Sequence, residues 1–169
     1  MGTSSSNSQR GPQRPGADTE PQIRYLNLPR LEAGTVINGR YRLEKLLGKG
    51  GFGMVFAGFD LTLKTPVALK FFDPASLQDE KKFLRVQREI NLARRISDPR
   101  IVRIYSLEKW SGIWFMVMEL IRGRTLKERL KAEGRFAWEE FRPIFFEILE
   151  GVGSLHDQGI IHRDLKPSN

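Results

Sequence analysis

Eight consecutive residues, His162-Arg163-Asp164-Leu165-Lys166-Pro167-Ser168-Asn169, gather an imidazole, a carboxylate, two cations and a carboxamide into a short polar stretch. An Asp followed two positions later by Lys and five later by Asn suits phosphoryl transfer. The Asp164 carboxylate can accept a hydroxyl proton, the Lys166 ammonium can steady a phosphate, and the Asn169 amide oxygen can hold a magnesium ion. Asp164 fits the base role better than His162, which reads as a packed structural residue. His156, the only other histidine, reads as a helix-end residue.

A second constellation lies far upstream. Leu47-Gly48-Lys49-Gly50-Gly51-Phe52-Gly53-Met54-Val55 contains G-x-G-x-x-G-x-V. A dinucleotide-binding fingerprint would open a helix and carry an acidic residue about 20 positions on. Here a β-type run follows, and the residue at that distance is Lys70. No G-x-x-x-x-G-K-[ST] loop is present. What remains is a glycine-rich hairpin whose backbone N–H groups can close over phosphates. Lys70 ends the run Val67-Ala68-Leu69-Lys70, one strand from that hairpin, where an ammonium could meet the α- and β-phosphates.

Glu89 belongs to a predicted helix. At about 100° per residue it falls among Val86, Leu92, Ala93 and Ile96, inside the apolar stripe. A carboxylate there calls for a cation. Lys70 is one candidate, and Arg85, four residues earlier on nearly the same line, is the other. Met118-Glu119-Leu120-Ile121 joins a strand-rich half to a helical half. An extended linker of this kind can offer backbone N–H and C=O groups to a flat heterocycle, or simply connect two lobes.

The elements that must position these residues follow from periodicity. Residues 1 to 38 form a tail: the first 22 are poor in large apolar side chains and read as disordered, and Tyr25 to Asn38 is transitional. Strands are expected over Tyr41–Leu47, Met54–Phe59, Pro66–Phe72, Ile101–Leu107 and Ile113–Met118, the last of these central because it is apolar throughout. A helix is expected from Leu77 to Ile96, with Ser76 and Asp79 as a capping box. Thr125 to Ala132 reads as a short helix stopped by Gly134. Phe141 to Leu155 recurs at helical spacing, with Pro143 near its start. The division is thus 1–38 tail, 39–121 strand-rich lobe and linker, and 122–169 helical part.

Composition narrows the class. The chain has 169 residues, 40% hydrophobic and 28% charged, ordinary for a globular domain. With no cysteine it can form no disulfide, thiolate zinc site or Cys nucleophile. No apolar run approaches the roughly 18 residues of a membrane span, and no signal peptide opens the chain. Met1-Gly2-Thr3-Ser4-Ser5-Ser6 meets the loose acylation pattern, as a Ser-rich start easily does by chance. The expected location is cytoplasmic. Part of the net charge of +8 comes from Lys81, Lys82, Arg85, Arg88, Arg94, Arg95, Arg100 and Arg103, around the predicted helix. Without aromatic interleaving or a recognised motif, this excess does not point to nucleic acid.

Together these residues resemble the eukaryotic-type (Hanks-type) serine/threonine protein kinase family, in order and in spacing from about Tyr41 onward. The resemblance implies an α+β, two-lobed fold: a complete N-lobe of five antiparallel strands and one helix, then the start of a helical C-lobe. It implies ATP and Mg2+ as cofactors and Ser or Thr of a protein as substrate. ATP would be bound by Leu47, Gly48, Gly50, Gly53, Val55, Ala68, Lys70 and Glu89, with Met118 in the gatekeeper place and Glu119 and Ile121 in the hinge. Glu89 would hold Lys70, Asp164 would be the catalytic base, Lys166 would sit near the γ-phosphate, and Asn169 would hold magnesium. His-Arg-Asp-Leu-Lys-Pro-x-Asn is similar to the Ser/Thr branch. Asp98-Pro99 departs from the frequent His-Pro. Asp-Phe-Gly, an activation loop and Ala-Pro-Glu do not occur in these residues, so the expectation is a chain truncated after the catalytic loop and inactive by itself. The alternative is a non-catalytic nucleotide-binding or interaction module.

Overall fold

The structure, a computed structural model, describes residues 31–50, 53–77 and 80–168. Six strands form one antiparallel sheet: β1 (Val36–Ile37), β2 (Tyr41–Gly50), β3 (Gly53–Asp60), β4 (Thr65–Phe72), β5 (Ile104–Trp110) and β6 (Ile113–Glu119), in the order β1-β2-β3-β4-β6-β5. The five long strands correspond to the expected ones, with β2 running on to Gly50 instead of ending at Leu47 and β5 lying three residues later than the expected Ile101–Leu107. The two-residue β1 is added at the edge, because Ile37 is an apolar residue that the sheet buries completely. As expected, β6 is an inner strand, between β4 and β5.

Alternation along the strands sends Tyr41, Leu43, Phe56, Val67, Leu69, Phe71, Ile113, Phe115 and Val117 to one face, where they make the core with Ile37. Phe71 stacks on Phe115 with centroids 5.3 Å apart, and Tyr41 meets Phe115 edge-on at 6.1 Å. Burying each such side chain contributes roughly 1.5–3 kcal/mol. Asp60, 2% exposed, is the buried charge of this lobe. It accepts from Arg40 Nη2 at 2.7 Å and from the N–H groups of Thr62 and Leu63 at 2.9 and 3.0 Å, which closes the turn after β3. That Arg40 guanidinium holds the Asp60 carboxyl below its usual range.

A 3-10 turn, Pro74–Leu77, leads to α1 (Glu80–Ala93), shorter than expected at both ends. The Ser76/Asp79 capping box lies outside what is described. Helix α1 leans on the sheet through Phe83, whose ring lies 4.8 Å from that of Trp114, and through buried Ile90. Helix α2 (Leu126–Glu133) starts on Thr125 with a full capping box: Thr125 Oγ1 accepts from the Glu128 N–H, and Glu128 Oε2 accepts from the Thr125 N–H. Helix α3 runs Trp138–Asp157. It begins a turn earlier than its apolar repeat suggests, because Glu139 and Glu140 supply the acidic first turn and Glu140 accepts from the Ala137 N–H. Pro143 therefore sits inside the helix.

Candidate active site

The cross-strand register assembles half of the site. Val55 faces Lys70, and Lys70 faces Met116; one row along, Ala57 faces Ala68 and Ala68 faces Met118. Directly opposed residues in an antiparallel pair share a face. Val55, Lys70 and Met116 thus form one row, with Ala57, Ala68 and Met118 beside it, on the side of the sheet opposite Phe71 and Phe115. Gly48 extends the first row, opposite Val55, while Leu47 lies exposed at a bulge of β2. Met116 and Ala57 carried no signal of their own in the sequence; only register shows that they share these rows.

Gly50 and Gly53 pair across the mouth of the β2–β3 hairpin. Gly53 has φ +127°, and a Cβ there would overlap the Phe71 carbonyl. The hairpin therefore needs glycine at this position on two counts. Gly51 and Phe52, at its tip, lie outside the described residues.

The other half arrives on the segment after α3. That helix ends with Gly159 at φ +71°; its N–H donates to the His156 carbonyl at 2.8 Å, and the Ile160 N–H donates to the Leu155 carbonyl at 2.9 Å. This is a Schellman close, and it turns the chain sharply out of the helix into Ile161–Ser168. The loop is tied down again where the Pro167 carbonyl accepts from the Lys127 N–H at 2.6 Å, one of the free donors in the first turn of α2. Within it, Lys166 Nζ donates to both Asp164 oxygens at 2.9 and 2.7 Å, and the Asp164 N–H donates to His162 Nδ1 at 3.3 Å. His162 is exposed, contrary to the packed role expected of it: it lends a ring nitrogen to the loop backbone and fills no core.

The two halves meet electrostatically at Lys70. Its ammonium is half-buried, and burial lowers its pKa; the Asp164 carboxylate partly restores it, while Lys166 lowers it further. Lys70, Asp164 and Lys166 therefore share one charged environment, though they come from β4 and from a loop more than ninety residues later.

Glu89 does not join them. Its side chain is 50% exposed and accepts from Arg85 Nε at 3.2 Å, with Arg163 Nη1 at 3.7 Å. Among the described residues no Lys70–Glu89 pair forms. The reason is angular: Phe83 and Ile90 face the sheet, which leaves Glu89 on the flank of the helix beside Arg85. Arg163, which sequence reasoning left without a role, reaches it from a backbone at φ +62°, unusual for a residue with a side chain.

The linker is half used. The Glu119 N–H donates to the Arg103 carbonyl at 2.9 Å, which closes the β5–β6 end. Ile121 lies beyond the sheet and is exposed. Asn169 lies outside the described residues, and among those described no three His, Asp or Glu side chains gather as a metal cage.

A second contact region joins the segment before β5 to α3. Asp98 Oδ2 accepts from Ser154 Oγ at 2.5 Å and Asp98 Oδ1 from Arg100 Nε at 2.9 Å, while Arg100 also pairs with Glu150. Gly151 lets Arg100 approach: a Cβ there would lie 3.3 Å from Arg100 Cβ. The Asp98 departure, from which nothing followed in the sequence, thus has a structural use.

Known proteins resemble this chain over about four fifths of its length. A Bifidobacterium longum protein named probable serine/threonine-protein kinase pknA2 is 35% identical over 141 residues, covering 82% of this chain and 19% of that protein. Serine/threonine-protein kinase PrkC of Bacillus subtilis is 35% identical over 136 residues, covering 80% of this chain and 21% of that protein. The chain spans about a fifth of the length of these two relatives. The fold is like that of the Mycobacterium tuberculosis PknI kinase domain in its crystal structure, with a TM-score of 0.73 at 24% identity, over 83% of this chain and 57% of that one. The family described as the protein kinase domain matches residues 41–169, from the first long strand through the loop that carries Asp164, and the chain belongs to that family.

Proposed function

We propose that this chain is the nucleotide-binding and catalytic-loop part of an ATP-dependent serine/threonine protein kinase. The observation that carries the reading is the cross-strand row of Val55, Lys70 and Met116 behind the glycine hairpin, in a chain whose residues 41–169 match the protein kinase domain. Bound ATP would supply the phosphoryl group, and magnesium, held in part by Asn169, would offset its charge. The chain's own residues do the rest. The Lys70 ammonium attracts the α- and β-phosphates from a half-buried site, where its field is little screened. Val55, with Ala68 and Met118 from the neighbouring row, gives the heterocycle an apolar wall, and Glu119 and Ile121 offer it their backbone. Gly48, Gly50 and Gly53 let the hairpin backbone come close. Asp164 accepts the proton of the substrate hydroxyl, and Lys166 moves from Asp164 to the phosphate as charge develops there.

In this reading Glu89 exchanges Arg85 and Arg163 for Lys70 when nucleotide binds. A nucleotide-bound structure is expected to bring the Glu89 and Lys70 side chains within about 4 Å. A bound nucleotide with Glu89 still on Arg85 would remove Glu89 from the site.

The test is peptide phosphorylation by the intact protein. Phosphoserine or phosphothreonine is expected, and Asp164→Asn is expected to lower turnover by roughly a hundredfold or more. Phosphotyrosine as the main product, or full activity of Asp164→Asn, would overturn the reading. A polypeptide of residues 1–169 alone we propose to be inactive, since it contains no Asp-Phe-Gly carboxylate for magnesium and its α3 exposes Phe146 and Leu149. Calorimetry with ATP and a phosphotransfer assay on that polypeptide decide the point; measurable turnover would refute it.

A further inference from the structure

The solvent side of α1 carries a charge excess that the catalytic reading does not use. Between residues 81 and 103 the sequence holds eight cations and only two carboxylates, Glu89 and Asp98. Both carboxylates are already engaged, Glu89 by Arg85 and Arg163, and Asp98 by Arg100 and Ser154. Among the described residues no carboxylate pairs with the side chain of Arg88, Arg94, Arg95 or Arg103, all of them exposed, although the Arg103 N–H donates to Glu119 Oε2 at 3.4 Å.

These charges are ordered. Leu84, Arg88 and Arg95 follow Lys81 at steps of three, four and seven, which is one line along a helix. The line extends past Ala93, because the Arg94 N–H donates to the Ile90 carbonyl at 2.9 Å and the Arg95 N–H to the Leu92 carbonyl at 3.0 Å. Leu84 is 54% exposed in its midst. At the end of the line Asn91, Arg94 and Arg95 surround an open depression of about 360 Å³.

We propose that this face of α1 is a docking surface for an acidic protein segment, one with Asp or Glu side chains along about 20 Å and an apolar residue to cover Leu84. Guanidinium groups bind carboxylates bidentately, and the depression offers two of them with an amide at one place. A lipid surface would call for several apolar side chains to insert, and Leu84 is the only large apolar residue exposed on α1 among those described. Helix α1 offers no exposed aromatic ring for stacking a nucleic-acid base. An acidic partner also competes with Glu89 for Arg85, so occupancy of this face bears on where Glu89 goes. The docking surface itself does not depend on the kinase reading.

The test uses the full chain and a fluorescein-labelled twelve-residue peptide of alternating Glu and Asp with a central Leu pair, followed by anisotropy. Saturable binding is expected, weakened severalfold between 50 and 300 mM NaCl. Arg88→Glu with Arg95→Glu is expected to weaken it tenfold or more. Lys131→Glu with Arg135→Glu, the same charge change on and after α2, is expected to weaken it less than twofold. Arg88→Gln with Arg95→Gln, checked for an unchanged circular dichroism spectrum and melting midpoint, should give an intermediate loss. Absence of saturable binding, or equal loss in the two double reversals, would overturn the proposal. So would tighter binding of duplex DNA or of vesicles with 30% phosphatidylserine through the same arginines.

Discussion

At the scale of single residues, Lys70 is governed by opposing influences. Burial disfavours its ammonium form, Asp164 favours it, and Lys166 opposes it. Replacing Asp164 by Asn removes the one favourable neighbour, so Lys70 in Asp164→Asn is expected to titrate at lower pH than in the parent. Carbon-13 NMR of reductively methylated lysines reads this directly; an unchanged or upward titration would show that the two groups are not coupled. Tyr41 makes a separate test. Burial first, and its bond to Glu108 at 2.7 Å second, push its hydroxyl up to about 12. A folded value above the unfolded one, about 10, means that its contribution to stability is complete below pH 10 and is lost as the pH rises toward 12. Absorbance titration of Tyr41→Phe against the parent should remove a phenolate step near pH 12; a step there that survives the substitution would assign it to another group.

At the scale of elements, the catalytic loop depends on how α3 stops. Gly159 at φ +71° makes the close that turns the chain toward Asp164. Gly159→Ala places a Cβ in the left-handed region and is expected to cost about 1–2 kcal/mol in urea unfolding. The Glu140→Ala variant, which loses a long 3.4 Å contact and one of the two first-turn carboxylates at the other end of the helix, is expected to cost less than half of that. Equal losses would mean that the Schellman close is not what holds this end. The glycine-rich hairpin follows the same logic, since only glycine fits Gly53 against the Phe71 carbonyl.

At the scale of the whole molecule, the strand-rich and helical parts are joined through Asp98, Arg100, Ser154 and Glu150. The Arg100 guanidinium, and after it the Ser154 hydroxyl, hold the Asp98 carboxyl well below its usual range. A carboxyl with a depressed folded value contributes stability that is present above its unfolded value, about 4, and is lost as the pH falls below that. The melting midpoint of Asp98→Asn should therefore lie below the parent's at pH 6. The two should converge as the pH drops from about 4 toward 2. Parallel curves across that range would exclude Asp98 as the titrating tie.

Local chemistry alone determined much of this protein. The apolar runs Val67-Ala68-Leu69 and Ile113–Met118, the Thr125 cap with Glu128, and the spacings Gly48-Gly50-Gly53 and Asp164-Lys166 are carried by neighbours within a few residues, and with their order along the chain they give strands, helices and family. The partners of charged side chains do not. Glu89 could pair with Lys70 or Arg85 on helical spacing alone; which one it meets depends on how α1 is rotated against Trp114, and on where the loop after α3 delivers Arg163. Asp98 carries no meaning until Ser154 and Arg100 come beside it. Met116 enters the Lys70 row only through the register between β4 and β6. Arg85 and Arg100 are near neighbours of their partners, but Arg163 with Glu89, Ser154 with Asp98 and Met116 with Lys70 are tens of positions apart, and packing between elements, which no short stretch of sequence encodes, selects among the possible contacts.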